Sequence, residues 1–302
     1  MTFNQTAPLG PHSVRRIGFG AMQLAGPGVF GPPRDPDAAR TVLRRAVALG
    51  VDHIDTSQYY GPDVVNELIH EALHPYPAEL RLVSKVGARR DERGAWLAAQ
   101  RPEELRAGVE ANLATLGVDS LALVNLRLMP AGERPVVPLA DQLGTMEDLR
   151  SEGKIESIGL SNASAADIEE ALKLVELGEV QNAYNIMLRD GEDVLRLCAQ
   201  HGMAFVPFFP LGSAFTGGPR AIAEDPAISS VAAKHDATPS QVALSWLLHR
   251  GEHVLLIPGT SSVGHLEENM GAAGVSLDEE DLATLEDVEQ AQDPLHAGTQ
   301  GA

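Results

Sequence analysis

Short apolar runs alternate with helical segments along nearly the whole chain, and this alternation limits the fold more than any other feature. The eight runs are residues 17–20, 51–55, 80–86, 121–128, 155–161, 180–185, 203–209 and 253–259. Short continuous apolar runs of this kind are typical of buried parallel strands. A strand followed by a helix, repeated with short connections, predicts an α/β fold, a (β/α)8 TIM barrel. A doubly wound open sheet is the alternative, although it rarely keeps eight even units.

The segments between the runs carry signals for helix starts. Asp35, Ser164 and Thr238 can cap the first turns with a side-chain oxygen, and Pro36 and Pro239 suit the first helical positions. Helix ends are predicted where a glycine just past the last turn can adopt the left-handed conformation. These glycines are Gly50, Gly117, Gly178, Gly202 and Gly251.

No linker or charge run divides the chain, so we expect a single domain over 1–302. Residues 9–16 predict a short hairpin before the first barrel strand. The small, polar segment after about residue 293 is expected to be a disordered tail.

Composition limits the partners and the compartment. The net charge of −19, from 23 basic and 42 acidic residues, repels phosphate backbones and anionic lipids. We therefore expect no nucleic acid and no membrane partner. No apolar run approaches the roughly 18 residues of a membrane span, and no secretory signal is recognisable. With Cys198 as the only cysteine, an intrachain disulfide is excluded, and we expect a cytoplasmic monomer or small homo-oligomer.

Two motifs are misleading. Residues 26–31, G-P-G-V-F-G, fit the dinucleotide pattern G-x-G-x-x-G, but the prolines in and after it predict an irregular loop. Residues 70–74, H-E-A-L-H, fit the zinc pattern H-E-x-x-H. They lie at the end of the second predicted helix, with Pro75 next and no third ligand at a suitable spacing, so we expect no metal site.

Candidate catalytic residues follow from the barrel itself, because its working residues lie at the carboxyl ends of strands. Asp55 and Lys85 end the second and third runs, and a buried lysine there needs a partner such as Asp55. Tyr60 follows in the next loop. A nearby ammonium stabilises tyrosinate, so we expect the pKa of Tyr60 to lie below its free value of about 10. Such a phenol can donate a proton to a carbonyl oxygen, which is the acid–base half of a carbonyl reduction. The other half is the transfer of a hydride, which no side chain supplies and which therefore needs a cofactor.

Several separate motifs then match in order: D-T-S-x-x-Y-G at 55–61, Lys85, L-S-N at 160–162, Gln181 and I-P-G-T-S-S-V-G-H-L-E-E-N at 257–269. From residue 17 to about 289 the chain resembles the aldo-keto reductases, (β/α)8 barrels that use nicotinamide cofactors. The resemblance implies catalytic roles for Asp55, Tyr60 and Lys85. It implies cofactor-binding roles for Gly20, Met22, Asp55, Ser161, Asn162, Gln181, Phe208, Pro210, Leu211, Gly212, Ser213, Pro258, Gly259, Thr260, Ser261, Ser262, His265, Glu268 and Asn269.

The fourth catalytic position departs from the family. Arg127 stands where these enzymes have a histidine, and its fixed charge and several donors can polarise a carbonyl oxygen and bind a second oxygen beside it. The alternative is an inactive site in which Arg127 pairs with an acid. Together with 18–34 and 207–212, Arg127 makes the chain similar to the bacterial pyridoxal reductases. That branch implies reduction of the aldehyde pyridoxal to pyridoxine.

The cofactor is expected to be NADPH, with NADH tolerated. Many relatives hold the 2′-phosphate with a lysine and an arginine, where this chain has Gly259 and His265. The hydroxyls of 260–262 and backbone N–H groups at the next helix start can serve instead. The alternative functions are a redox-sensing regulatory protein with little turnover, a reductase of other small aldehydes, and a Schiff-base aldolase with Lys85 as its nucleophile.

Overall fold

A computed structural model describes residues 5–129, 136–212 and 217–290. The expected tail after residue 293 lies outside this part of the chain. Within it, the strands are β1 (Thr6–Leu9), β2 (His12–Arg15), β3 (Phe19–Gly20), β4 (His53–Asp55), β5 (Arg81–Arg90), β6 (Trp96–Ala99), β7 (Leu123–Arg127), β8 (Ile158–Ser161), β9 (Leu177–Ala183) and β10 (Ala204–Phe208).

The helices follow the strands as the alternation predicts. They are α1 (Pro36–Ala48), α2 (Val64–Leu73), α3 (Pro102–Leu116), α4 (Leu139–Ser151), α5 (Ala165–Ala171), α6 (Glu192–His201), α7 (Gly218–Glu224), α8 (Pro226–Lys234), α9 (Pro239–His249), α10 (Val263–Met270) and α11 (Glu279–Glu286). In the described parts of the chain, no helix is long and apolar enough to cross a bilayer.

Seven strands pair in parallel in the order β3-β4-β5-β7-β8-β9-β10. The eighth predicted run closes the sheet through two isolated parallel bridges, Ile17 with Leu256 and Phe205 with Val254. The Leu256 N–H donates to Arg16 O at 2.7 Å, and the Leu255 N–H donates to Phe205 O at 3.0 Å. The predicted (β/α)8 barrel is confirmed, with residues 253–259 pairing on both sides without forming a regular strand.

The three predicted helix caps are present. Asp35, Ser164 and Thr238 each accept a hydrogen bond from the backbone N–H three residues later. Three of the predicted stops, Gly50, Gly117 and Gly202, have a positive φ, of 92°, 64° and 68°. The prediction for Gly251 is wrong, because Arg250, which follows α9, has the right-handed helical conformation and Gly251 has no positive φ.

The predicted stop at Gly178 is wrong. Helix α5 ends at Ala171, and Gly178 lies inside β9. A Cβ atom there would stand 2.4 Å from Ser157 Oγ and 2.9 Å from the Gly10 Cα. The residue is therefore glycine because the N-terminal hairpin packs closely against the start of the strand.

That hairpin is β1 and β2, paired antiparallel around Gly10, as residues 9–16 predict. Its apolar side chains, among them Leu9 and Val14, pack with Val83 and Leu123 from inside the barrel. Since the hairpin meets the amino-terminal ends of the strands, it covers the end of the barrel opposite the expected site.

Both misleading motifs lie where they were predicted. Residues 26–31 contain a short 3-10 turn, Pro27–Val29, with no strand-to-helix junction. His70 and His74 lie at the end of α2, and His70 Nδ1 donates to Leu116 O at 3.1 Å. Among the described residues, no cluster of three potential metal ligands occurs.

Candidate active site

Adjacent strands bring the predicted catalytic residues to one end of the barrel. Asp55 is the last residue of β4, and Arg127 is the last residue of β7. Lys85 lies within β5, which continues past the barrel to Arg90 and pairs there with β6. The β6 strand was not predicted, because its run W-L-A-A is too short to stand out from a loop.

Lys85 and Asp55 form a buried ion pair. The Lys85 Nζ atom donates to Asp55 Oδ1 and also to Thr56 O, the latter at 3.1 Å, and both side chains are at most 6% exposed. The other carboxylate oxygen, Asp55 Oδ2, accepts from Gln181 Nε2 at 2.9 Å. The predicted partnership is present, and it also ties β9 to the pair across the barrel.

Tyr60 lies beside this pair. The Lys85 Nζ atom is 5.3 Å from the centre of the Tyr60 ring. Burial raises the pKa of Tyr60 above its ordinary value of 10, and the Asp55 carboxylate raises it further, while Arg127 acts in the opposite direction. The expected lowering of this pKa is wrong, because Lys85 is already neutralised by Asp55 and burial penalises a phenolate.

Arg127 faces the neighbouring strand end and an aromatic ring. Its Nη1 atom donates to Ser161 Oγ at 3.3 Å, and its Cζ atom lies 5.5 Å from the centre of the Phe208 ring. No carboxylate in the described segments lies within ion-pair distance of Arg127. The alternative of an arginine that merely pairs with an acid therefore finds no partner there.

Two aromatic residues extend the site beyond the predicted set. Tyr59 is 2% exposed, and burial raises its pKa to about 12. Its ring meets Tyr60 at 5.5 Å and Trp96 at 5.4 Å, both edge to face. Trp96 on β6 is 42% exposed, so this row of rings runs from the buried ion pair to the surface. The doubled tyrosine at 59–60 was the available sequence signal.

Three of the predicted cofactor-binding residues, Ser161, Asn162 and Gln181, lie together on β8 and β9 and in the turn after β8. Asn162 has a φ of 61°, its N–H donates to Gln181 O at 3.0 Å, and its side chain donates to Leu128 O at 3.0 Å. Ser161 is fully buried next to it. Within the described parts of the chain, no group donates to the buried amide oxygen of Gln181, which leaves an acceptor for a bound group.

The segment after the eighth run ends in a capped helix start. Gly20 and Gly259 approach so closely that a Cβ atom on Gly20 would stand 2.4 Å from Ile257 O. Thr260 Oγ1 accepts from the Ser262 N–H at 3.1 Å, and Ser262 Oγ accepts from the His265 N–H at 3.4 Å. Hydroxyls and helix N–H groups thus lie together at the start of α10, a donor set suited to an anion.

The other predicted cofactor contacts are spread around the same end. Glu268 accepts a hydrogen bond from the Thr238 hydroxyl at 2.7 Å, so one of its oxygens is already used within the protein. Ser213 lies outside the described residues. The remaining positions are Met22 in the 3-10 turn after β3, Pro210, Leu211 and Gly212 after β10, Pro258 and Ser261 before α10, and Asn269 buried on α10.

A closed parallel barrel with a lysine–aspartate pair beside a tyrosine at its carboxyl end has the form of a barrel enzyme with an acid–base site there. Residues 16–290 match the model of the aldo/keto reductase family. The chain belongs to this family, as its motifs indicated.

Individual relatives cover almost the whole chain. Pyridoxine 4-dehydrogenase of Escherichia coli (strain K12) is 50% identical over 287 residues, which are 94% of this chain and 98% of that protein. A crystal structure of an aldo-keto reductase from Klebsiella pneumoniae in complex with NADPH is 26% identical, with a TM-score of 0.79 and coverage of 97% and 98% of the two chains. A glycerol dehydrogenase from Gluconobacter oxydans, 21% identical with a TM-score of 0.81 over 96% and 98%, supports the fold alone.

Proposed function

We propose that this protein is an NADPH-dependent aldehyde reductase that converts pyridoxal to pyridoxine. The observation that carries the proposal is the buried Asp55–Lys85 pair beside Tyr60 at the carboxyl end of the barrel. The 50% identity to a pyridoxine 4-dehydrogenase supports the substrate, since that name describes the same reaction in the opposite direction.

The residues present fit a nicotinamide dinucleotide. The unpartnered amide oxygen of Gln181 can accept a hydrogen bond from the carboxamide, and Ser161 and Asn162 lie beside it. Phe208 offers a flat ring, and the hydroxyls of 260–262 at the start of α10 suit a phosphate. The reduced dinucleotide supplies the hydride when it is bound.

The proton comes from Tyr60. A phenol with a raised pKa stays protonated at neutral pH, as a proton donor to a carbonyl oxygen must. The charge of Arg127 favours the phenolate that proton donation leaves behind, while Asp55 fixes Lys85 in place beside the Tyr60 ring. Burial keeps water away from these groups, which strengthens their electrostatic interactions.

Arg127 orients the substrate in this proposal. It has a permanent positive charge and lies near Tyr60, since its charge opposes the rise in the pKa of that phenol. A guanidinium can donate to the carbonyl oxygen and to a neighbouring phenolate oxygen at once, a pair that pyridoxal carries on adjacent ring atoms.

We also propose the coarser features of the protein. A single barrel domain over 1–302 acts in the cytoplasm on a small aldehyde, as a monomer or small homo-oligomer, without nucleic acid or membrane partners. The acidic surface supports the last point. NADPH is the preferred cofactor and NADH is tolerated.

The test is an assay of the purified protein with NADPH and pyridoxal, followed by the loss of NADPH absorbance and by identification of pyridoxine. Formation of pyridoxine in amounts equal to the NADPH consumed supports the proposal. Turnover of other aldehydes but not pyridoxal would contradict the substrate, and NADPH binding without turnover of any carbonyl would indicate a regulatory protein instead.

A further inference from the structure

Glu179 is a buried acid that the site described above does not use. It lies on β9 two residues before Gln181 and is 1% exposed. Burial, helped by the Asp55 carboxylate, raises its pKa to about 7, against the hydrogen bond from Asn125 and the charge of Lys85. A buried carboxyl group costs folding free energy that an apolar side chain would not, so its presence calls for a physical reason.

The strand register explains how Glu179 is reached from across the barrel. Lys85, Asn125, Gly159 and Glu179 stand directly opposite one another on β5, β7, β8 and β9. The Asn125 side chain passes over Gly159 and donates from Nδ2 to Glu179 Oε1. A Cβ atom on Gly159 would stand 2.2 Å from Asn125 Oδ1. Glycine at this position therefore makes the Asn125–Glu179 hydrogen bond sterically allowed.

Glu179 also faces the amide of Gln181. The Gln181 Nε2 atom lies 2.9 Å from Asp55 Oδ2 and 3.5 Å from Glu179 Oε1. Turning the amide over would bring its oxygen against two carboxyl oxygens, which is unfavourable because oxygens that accept hydrogen bonds repel. The two acids thus hold the NH₂ group inward, and the amide oxygen of Gln181 has no partner among the described residues.

We propose that Glu179 is a positioning residue, which together with Asp55 orients the Gln181 amide so that its oxygen accepts a hydrogen bond from the nicotinamide carboxamide. The proposal rests on the proposed function, because it assumes a nicotinamide cofactor at this end of the barrel. In this arrangement the Asn125 side chain fixes Glu179 by a hydrogen bond. Glu179 and Asp55 in turn accept from the Gln181 amide, which binds the cofactor.

The test is a double-mutant cycle read out by NADPH binding without substrate, measured by fluorescence titration. Glu179→Leu removes the acceptor at similar size and is expected to weaken NADPH binding about tenfold. Glu179→Gln keeps an acceptor oxygen and is expected to change the Kd less than about threefold. In a Gln181→Leu background, Glu179→Leu should change the Kd less than about twofold, because the residue it positions is gone.

A structural role would give a different pattern. Equal weakening of NADPH binding by Glu179→Leu in both backgrounds, or equal effects of the Gln and Leu substitutions, would overturn the proposal. Cys198→Ala is the control, since it removes a buried side chain near Glu179 and should lower the thermal unfolding temperature without changing the Kd. If Glu179→Leu does not fold, Glu179→Ala, whose cavity admits water to Asn125, is tested in the same two backgrounds.

The outcomes separate this proposal from the proposed function. A wild-type protein that neither binds NADPH nor reduces pyridoxal refutes the function. A wild-type protein that does both, with an unchanged Kd in Glu179→Leu, refutes only the positioning role.

Discussion

The guanidinium carbon of Arg127 lies 5.5 Å from the centre of the Phe208 ring, so the residue that replaces the family's usual histidine lies against one of the predicted cofactor-binding residues. The same guanidinium donates to Ser161, at the end of the next strand. Arg127 is thus placed between the proposed positions of the substrate oxygen and of the cofactor ring, and substitutions can separate these two roles.

Arg127→Met is expected to lower kcat with pyridoxal about 10²–10³-fold, because it removes a charged donor to the reacting oxygen. NADPH binding should change little, since Ser161, Gln181 and the 258–269 segment remain. Arg127→His, which restores the family's usual group, should retain part of the activity. Steady-state kinetics and NADPH titration of the three proteins measure this. A parent-like kcat in Arg127→Met, or a loss confined to NADPH binding, would make Arg127 a structural residue.

The pH dependence of turnover follows from Tyr60. Its pKa lies above 10, so the phenol remains a proton donor and pyridoxal reduction should not decline through Tyr60 ionisation up to about pH 10. Oxidation of pyridoxine needs the phenolate and should rise with pH over the same range. The rates of pyridoxal reduction and of pyridoxine oxidation, measured across this pH range, test the role of the Tyr60 proton. The variant Tyr60→Phe is expected to lose at least as much activity as Arg127→Met. A reduction rate that halves near neutral pH and tracks Tyr60 would contradict it.

Because the Asp55–Lys85 ion pair is buried, removing one of its charges should cost more free energy of unfolding than removing both. Lys85→Met leaves the Asp55 carboxylate buried without its ammonium partner and should lower the free energy of unfolding by about 3–5 kcal/mol. The double variant Asp55→Asn, Lys85→Met removes both charges and should recover much of that loss. Denaturant unfolding of the two variants and the parent measures the difference. If the double variant has a lower free energy of unfolding than Lys85→Met, the loss in Lys85→Met is not caused by an uncompensated charge on Asp55.

Glu179 makes stability depend on pH. Its pKa rises from 4.5 to about 7 on folding, so the native state binds the proton more tightly than the unfolded state. The resulting stabilisation is complete below about pH 4.5 and is lost as the pH rises through 7. Relative to Glu179→Gln, which cannot ionise, the parent should lose on the order of 3 kcal/mol between pH 5 and pH 8. Parallel thermal and denaturant unfolding of both proteins checks this, and a constant difference would show that Glu179 does not change protonation.

Features of the fold and site that depend on local sequence could be predicted. The alternation of apolar runs and helices, and caps such as Ser164, depend on residues close together in the chain. Asp55 and Lys85 were predictable as partners because parallel neighbouring strands bring their carboxyl ends together. The Gly178 prediction failed because a distant hairpin, and not a local helix end, determines that glycine.

Features that depend on burial and on register across the barrel could not be predicted. The pKa of Tyr60 moves in the opposite direction from the expected one because burial and the Asp55 carboxylate outweigh the charge of Arg127, and burial is visible only in the fold. Glu179 has no motif around it, since its partners Asn125 and Gly159 come from other strands. A strand register correct to the residue would have been needed to find it.

The hairpin β1–β2 affects the route by which small molecules and protons reach the site. Because Leu9 and Val14 pack into the amino-terminal end of the barrel, that end presents an apolar plug. Substrate, product and the proton that recharges Tyr60 are then expected to reach the site from the other end, where the ring row ends at the exposed Trp96. A bulky group bound near Trp96 is therefore expected to slow proton return as well as product release.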